Sequence, residues 1–168
     1  MPTQTRTESP SPTPAGLDRF NTAPAAEIER TLLACLRSLR WSHRLTDHRP
    51  YPDLDSLLAA ADEAAYDLTP GDLCEALAAE SLPELPEGVY AVAHTALGAA
   101  HAAYEARFGH VFVICLDGTP PTEVLNTILA AIRSRLANDP EEERVVAAEE
   151  LRRLARERLT GVLRGAGL

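Results

Sequence analysis

The fold class this sequence predicts is all-α: a single-domain helical bundle of about seven or eight helices with one short extended segment. Three observations carry that expectation. Ala and Leu number 28 and 24 among 168 residues, and both favour helix. Phe, Trp and Tyr together number only 8, with Gly at 9, so the aromatic residues that sheets prefer are scarce. Apolar residues also recur three and four apart through most of the chain, which is the helical period. With 45% hydrophobic and 24% charged residues, a chain of this length makes about one domain with a real core.

Residues 1–16 (MPTQTRTESPSPTPAG) hold four prolines among Thr and Ser and offer too little apolar surface to offset the entropy of ordering. They read as a disordered N-terminal tail, and 17–168 as the helical domain. Behind Pro24, the positions Ile28, Leu32, Cys35, Leu36 and Leu39 predict the first helix. A short helix is expected over Trp41–Leu45, ended by Pro50 and Pro52, since proline cannot continue a helix. Asp53 is placed as the N-cap of a stripe of Leu54, Leu57, Leu58, Ala61, Ala65 and Leu68. Thr69-Pro70-Gly71-Asp72 has capping-box form with Pro at the first helical position, opening a helix with Leu73, Cys74 and Leu77 inward.

Leu82–Gly88 (LPELPEG) must be a loop, and beyond it Tyr90, His94, Leu97, His101, Tyr104 and Phe108 alternate at intervals of four and three along one helical face. His110–Cys115 (HVFVIC) is the one β-branched and aromatic run, without an evident partner strand, and reads as an extended segment threading a helical protein. A helix over Thr119–Leu136 would turn Leu125, Ile128, Leu129, Ile132 and Leu136 inward. A last one from Pro140 to about Leu163 would do so with Val145, Ala148, Leu151, Leu154, Ala155 and Val162.

Composition removes several function classes. All 16 cationic residues are Arg, so no lysine is present to form a Schiff base. The net charge of −9 and the lack of a basic stripe argue against a nucleic-acid partner. No apolar run approaches the roughly 20 residues of a membrane span, and no signal peptide is evident, so no membrane partner and a cytoplasmic location are expected. Cys35, Cys74 and Cys115 lack metal-ligand spacing and read as buried small hydrophobes. No HExxH, metal-ligand cluster, nucleophile elbow or phosphate loop is found, so no structural zinc and no hydrolytic metal site is expected.

Arg158 is the most informative charged residue. It lies four residues after Leu154 and seven after Leu151, on the apolar stripe, where an unpaired guanidinium is costly. It needs an anionic partner, unless its stem is packed and its head snorkels to water. Glu80 lies seven residues after Leu73, at the end of its own stripe, where it is either solvated or turned into a pocket. His94 and His101 share a face, although a histidine in such a stripe is more often a hydrogen-bonded core residue than a catalyst. The Glu and Arg runs over 141–158 read as a solvated face with i,i+4 pairs.

FNTAP (20–24), SLRW (38–41), RPYPDLDSLLAAADEA (49–64), YEARFGHVFVIC (104–115) and RSRLANDPEEERVVAAEELRRLARERL (133–159) occur in this order. Together they resemble the 2-oxo-4-hydroxy-4-carboxy-5-ureidoimidazoline (OHCU) decarboxylases of urate breakdown, over most of 17–160. The resemblance implies an all-α fold, often a homodimer, that decarboxylates a ureide to (S)-allantoin without metal or organic cofactor. Carried over, it assigns substrate binding to Arg158 and to the main chain of Phe112, Val113, Ile114 and Cys115. It also implies a catalytic histidine in an HPxxG-type loop followed by a Ser…Glu-Gln segment. Here that place reads Glu80-Ser81 and the short LPELPEG loop, with no histidine. General acid/base catalysis contributes about 10²–10⁴-fold, so this departure bears on activity. His101 stands where the family often has Asn.

Three functions follow as expectations. The first is a divergent, cofactor-free enzyme, lyase/decarboxylase-type or cyclase-type, in secondary metabolism, acting on an acidic or carbonyl-bearing small molecule, with Glu80, His94 or His101 as replacement acid/base. The second is OHCU decarboxylation itself with a substituted catalyst, for example Glu80 raised in pKa by an apolar pocket. The third is a non-catalytic ligand-binding or interaction protein.

Overall fold

The computed structural model describes residues 15–89 and 91–165. Within them lie eight α-helices: α1 (Ala15–Thr22), α2 (Ala25–Cys35), α3 (Leu39–Asp47), α4 (Leu54–Tyr66), α5 (Pro70–Ala78), α6 (Ala91–Phe108), α7 (Val124–Arg135) and α8 (Pro140–Arg164). A 3₁₀ turn over Pro121–Glu123 precedes α7, and no strand is present among the described residues. The all-α expectation holds. The proposed tail lies outside the described residues except for Ala15 and Gly16, which instead open α1. That helix was not anticipated, because its face holds only two large apolar residues, Leu17 and Phe20, both fully buried. Gly16 is required there: a Cβ would sit 2.0 Å from the Leu163 carbonyl oxygen.

Local chemistry sets most helix ends. Asp53 caps α4 by accepting from Ser56 N–H, and Thr69 and Asp72 form a reciprocal capping box on α5, each satisfying donors that a helix start leaves unpaired. Asp139 and Glu142 do the same for α8. The first predicted helix is corrected at its C-terminus. It stops at Cys35, Leu36 is extended, and the Ser38 side chain caps a new helix by accepting from Trp41 N–H. Leu39 therefore starts α3 and is 48% exposed.

α8 lies against α1, α2 and α4, while α6 pairs with α7. Its buried positions Glu143, Ala147, Leu151, Ala155, Leu159 and Leu163 run at a strict spacing of four. At 3.6 residues per turn that stripe drifts about 40° per step, so successive turns face different neighbours. This drift corrects the predicted face: Val145 is 71% exposed, and Glu143, Ala147, Leu159 and Leu163 replace it in the interior. On α4 the buried residue is Ala64, with Ala65 and Leu68 only partly covered. On α5 Ala76 takes the inward place expected for Cys74, which is exposed.

Two apolar clusters result. One joins α1–α5 and α8 around Trp41, whose indole N–H donates to the Ala61 carbonyl at 3.0 Å; the other joins α6 and α7. The extended segment runs between them with the alternation of a strand. Val111 and Val113 pack into the first cluster, and Phe112 and Ile114 into the second.

Candidate active site

A cavity of about 720 Å³ opens where α2, the loop after α5, the extended segment and α8 converge. Its walls include Leu33 and Ala34 of α2, Glu80–Glu84 of the loop, Phe112–Ile114, and Leu154 and Arg158 of α8. The sequence places Arg158 and Glu80 at the ends of two apolar stripes, and the fold turns those ends toward each other. Arg158 Nη1 and Nη2 donate to Glu80 Oε1 and Oε2 at 2.8 and 2.9 Å, and Nη1 also donates to the Cys35 carbonyl at 3.1 Å. The Glu80 side chain is 9% exposed and that of Arg158 36%. This is a fork-to-fork pair of the stronger kind, and Glu80 raises the Arg158 pKa still further above its ordinary value. The anionic partner that Arg158 needs is therefore Glu80. The wholly apolar pocket expected around Glu80 is not formed, because a guanidinium stands against its carboxylate.

In the cavity-lining residues Phe112, Val113 and Ile114, the amide N–H groups and the carbonyls of Phe112 and Ile114 make no hydrogen bond to other described residues. Main-chain groups within a fold are nearly always paired, so this row of donors and acceptors is uncommitted. The Val113 carbonyl, in contrast, accepts from Arg135 Nη1 at 2.7 Å.

Arg135 belongs to a buried network that the sequence reading missed. Its Nε donates to Glu143 Oε1 at 2.7 Å with Nη2 ion-paired 2.6 Å from the same oxygen, Tyr104 OH donates to that oxygen too, and Asn138 Nδ2 donates to Oε2 at 3.0 Å. The guanidinium also lies 4.4 Å from the Phe112 ring centroid. Burial and the Glu143 carboxylate push the Tyr104 pKa well up, so its hydroxyl stays a donor. The expected solvated face of α8 is corrected here. Glu143 is 1% exposed, Arg152 bridges to Asp62 of α4 at 2.7 Å, and the pairs within α8 are i,i+3. The signal was present, since Arg135 lies three residues after Ile132 and Glu143 four before Ala147, each on an apolar stripe as Arg158 is.

The remaining predicted residues are dispersed. Cys115 does not line the cavity: its N–H donates to Glu150 Oε2 at 2.6 Å and its side chain meets Glu157, facing a separate hollow rimmed by Arg152, Arg153 and Arg156. The backbone alternation that aims Phe112 and Ile114 at one side turns Cys115 away. Burial raises the Cys115 thiol pKa and pushes Cys35 to about 11, so neither is a ready nucleophile. His94 is exposed, and it lines a separate hollow of about 430 Å³ with Leu82–Leu85 and His101. His101 is 7% exposed, packs 5.8 Å from the Phe112 ring, and neither ring nitrogen has a hydrogen-bond partner. Desolvation lowers its pKa. It thus stands one ring behind the cavity, and no histidine lines the cavity itself. No cluster of potential metal ligands exists among the described residues, and no described helix is long and apolar enough to cross a membrane.

This fold is similar to solved structures of two related enzymes. One is (S)-allantoin synthase, with a TM-score of 0.69 and 22% identity, covering 86% of this chain and 53% of that one. The chain thus spans about half the length of that protein. The other is OHCU decarboxylase in the presence of (S)-allantoin, with a TM-score of 0.66 and 21% identity, covering 78% of this chain and 95% of that one. No curated protein matches the sequence. The sequence profile of OHCU decarboxylase matches residues 21–88 and 89–160, nearly the whole of the helical domain, and the chain belongs to the OHCU decarboxylase family.

Proposed function

We propose that this chain is a cofactor-independent enzyme, lyase- or cyclase-type, acting on a small carbonyl-bearing or acidic molecule in the cavity beside Arg158. The observation that carries this reading is the uncommitted main chain of Phe112–Ile114 running along that cavity. Such a row matches a planar ligand with alternating N–H and C=O groups, each able to pair with a main-chain group that no other described residue engages. Arg158 has five N–H donors, of which three are engaged by Glu80 and Cys35. Its Nε–H and one Nη2 hydrogen are available to polarise a substrate carbonyl and to stabilise negative charge developing on that oxygen. Among Glu80, His94 and His101, Glu80 alone lines the cavity, where it fixes the Arg158 fork. Family membership supports a second reading, OHCU decarboxylation itself with Glu80 in the place of the loop histidine.

Circular dichroism separates the two. OHCU is generated in situ and its decay to (S)-allantoin followed with and without the protein. Little acceleration over spontaneous decay is expected, because no histidine reaches the cavity; a rate equal to that of a histidine-bearing family member would establish the second reading. The cavity assignment is tested by titrating ¹⁵N-labelled protein with hydantoin, a small cyclic ureide. Resonances of the Phe112–Ile114 amides are expected to move, and their failure to move while distant amides respond would overturn the site.

A further inference from the structure

We infer that Glu80 is an internal counter-ion that reserves Arg158 for neutral acceptors, so that the cavity selects an uncharged carbonyl compound and rejects a carboxylate. The inference rests on the cavity being the substrate site and narrows the substrate class proposed for it. Both terminal nitrogens of Arg158 donate to the two Glu80 oxygens, so the end-on fork is filled, and the donors left over, Nε–H and one Nη2 hydrogen, belong to a guanidinium whose charge Glu80 already offsets. The carboxylate is nine-tenths buried, so solvent screens it poorly. A second carboxylate entering beside Arg158 would meet Glu80 across the same guanidinium, and like charges placed together in a site are strongly disfavoured. The rest of the lining does not reverse this. Arg37, Glu84 and Glu157 also line the cavity, and with the Glu80–Arg158 pair the walls carry three acidic and two basic side chains. Arg37, Glu84 and Glu157 are all exposed, so their effect on an entering anion is screened and the buried Glu80 carboxylate dominates.

A neutral carbonyl asks less of the site. It needs one or two donors and no net positive charge, and the uncommitted Nε–H of Arg158 with the Phe112–Ile114 main chain supplies them. A substrate without a carboxylate cannot be decarboxylated, so the reaction class that fits is cyclisation, isomerisation or elimination beside a carbonyl. Glu80 is then a specificity-determining residue standing where the family's loop histidine is expected.

The matched probes hydantoin and hydantoin-5-acetate test this at pH 7, using the Arg158 Nε–H and Phe112–Ile114 amide resonances of ¹⁵N-labelled protein. In the wild type, hydantoin is expected to bind at least about tenfold more tightly than the 5-acetate. Glu80→Gln retains shape and an acceptor for Arg158 while removing the charge, and should raise affinity for the 5-acetate at least about tenfold with little change for hydantoin. Equal or tighter binding of the 5-acetate by the wild type overturns the inference while leaving the cavity as the site. An unchanged 5-acetate affinity in folded Glu80→Gln also overturns it. If Glu80→Gln does not fold, the wild-type pair decides alone. If hydantoin moves none of these resonances, the cavity reading fails, and the Glu80→Gln gain for the 5-acetate still decides whether Glu80 excludes anions from Arg158.

Discussion

Glu143→Ala should be among the most damaging single substitutions in this protein. The residue is 1% exposed and its carboxylate accepts from Arg135, Tyr104 and Asn138. Removing it leaves the Arg135 guanidinium, whose side chain is 8% exposed, without a counter-ion, and it strands the Tyr104 hydroxyl. Breaking a buried pair in this way costs about 3–5 kcal/mol, a large share of the roughly 5–15 kcal/mol that holds a domain folded. Urea unfolding followed by far-ultraviolet circular dichroism reads the effect. With a slope of about 2 kcal/mol per molar, the midpoint should fall by about 1.5–2.5 M. Replacing both partners, as Arg135→Met with Glu143→Leu, should recover much of that loss, because no charge is then left buried. A residual deficit of about 2 kcal/mol is expected, because the Val113 carbonyl loses its donor and the Tyr104 hydroxyl its acceptor. A loss below about 1 kcal/mol in Glu143→Ala, or a double variant no more stable than the single one, would refute the reasoning.

Arg158→Gln should weaken hydantoin binding by a larger factor than it lowers stability, and a double-mutant cycle with Glu80→Gln should give a coupling of about 1–2 kcal/mol, reduced by the partial exposure of Arg158. His101 is a base whose folded pKa lies below its ordinary 6.5. Its contribution is therefore complete above about pH 6.5 and is lost as pH falls below it, because the unfolded chain takes up the proton first; urea midpoints between pH 8 and 5 should show the step, and His101→Leu should abolish it. That variant should also be more stable at pH 7 by about 1 kcal/mol, since both buried ring nitrogens lack partners, and a loss of stability would indicate that the imidazole is satisfied. A thiol reagent such as DTNB should modify one cysteine, exposed Cys74, rapidly in the native protein and all three in urea; fast modification of Cys35 would contradict its burial and its thiol pKa near 11.

The sequence by itself determined what is local. Asp53, Thr69 and Asp139 announce helix starts because capping uses side chains within three residues of the donors they satisfy, and these starts are where they were expected. The run HVFVIC could be recognised as extended because its residue types are those of a strand, and the place of Arg158 on an apolar stripe required a partner. Tertiary structure decided everything that depends on which stripe meets which. The partner of Arg158 is Glu80, 78 residues away, and Asp62 of α4 holds Arg152 of α8. The drift of the four-residue stripe buries Glu143 and exposes Val145. His94 and His101 share one face of α6 by spacing alone, yet His101 is buried against the Phe112 ring while His94 is exposed. Charge pairing and burial are properties of elements packed at a distance, and helical periodicity fixes a face without naming the neighbour that will cover it.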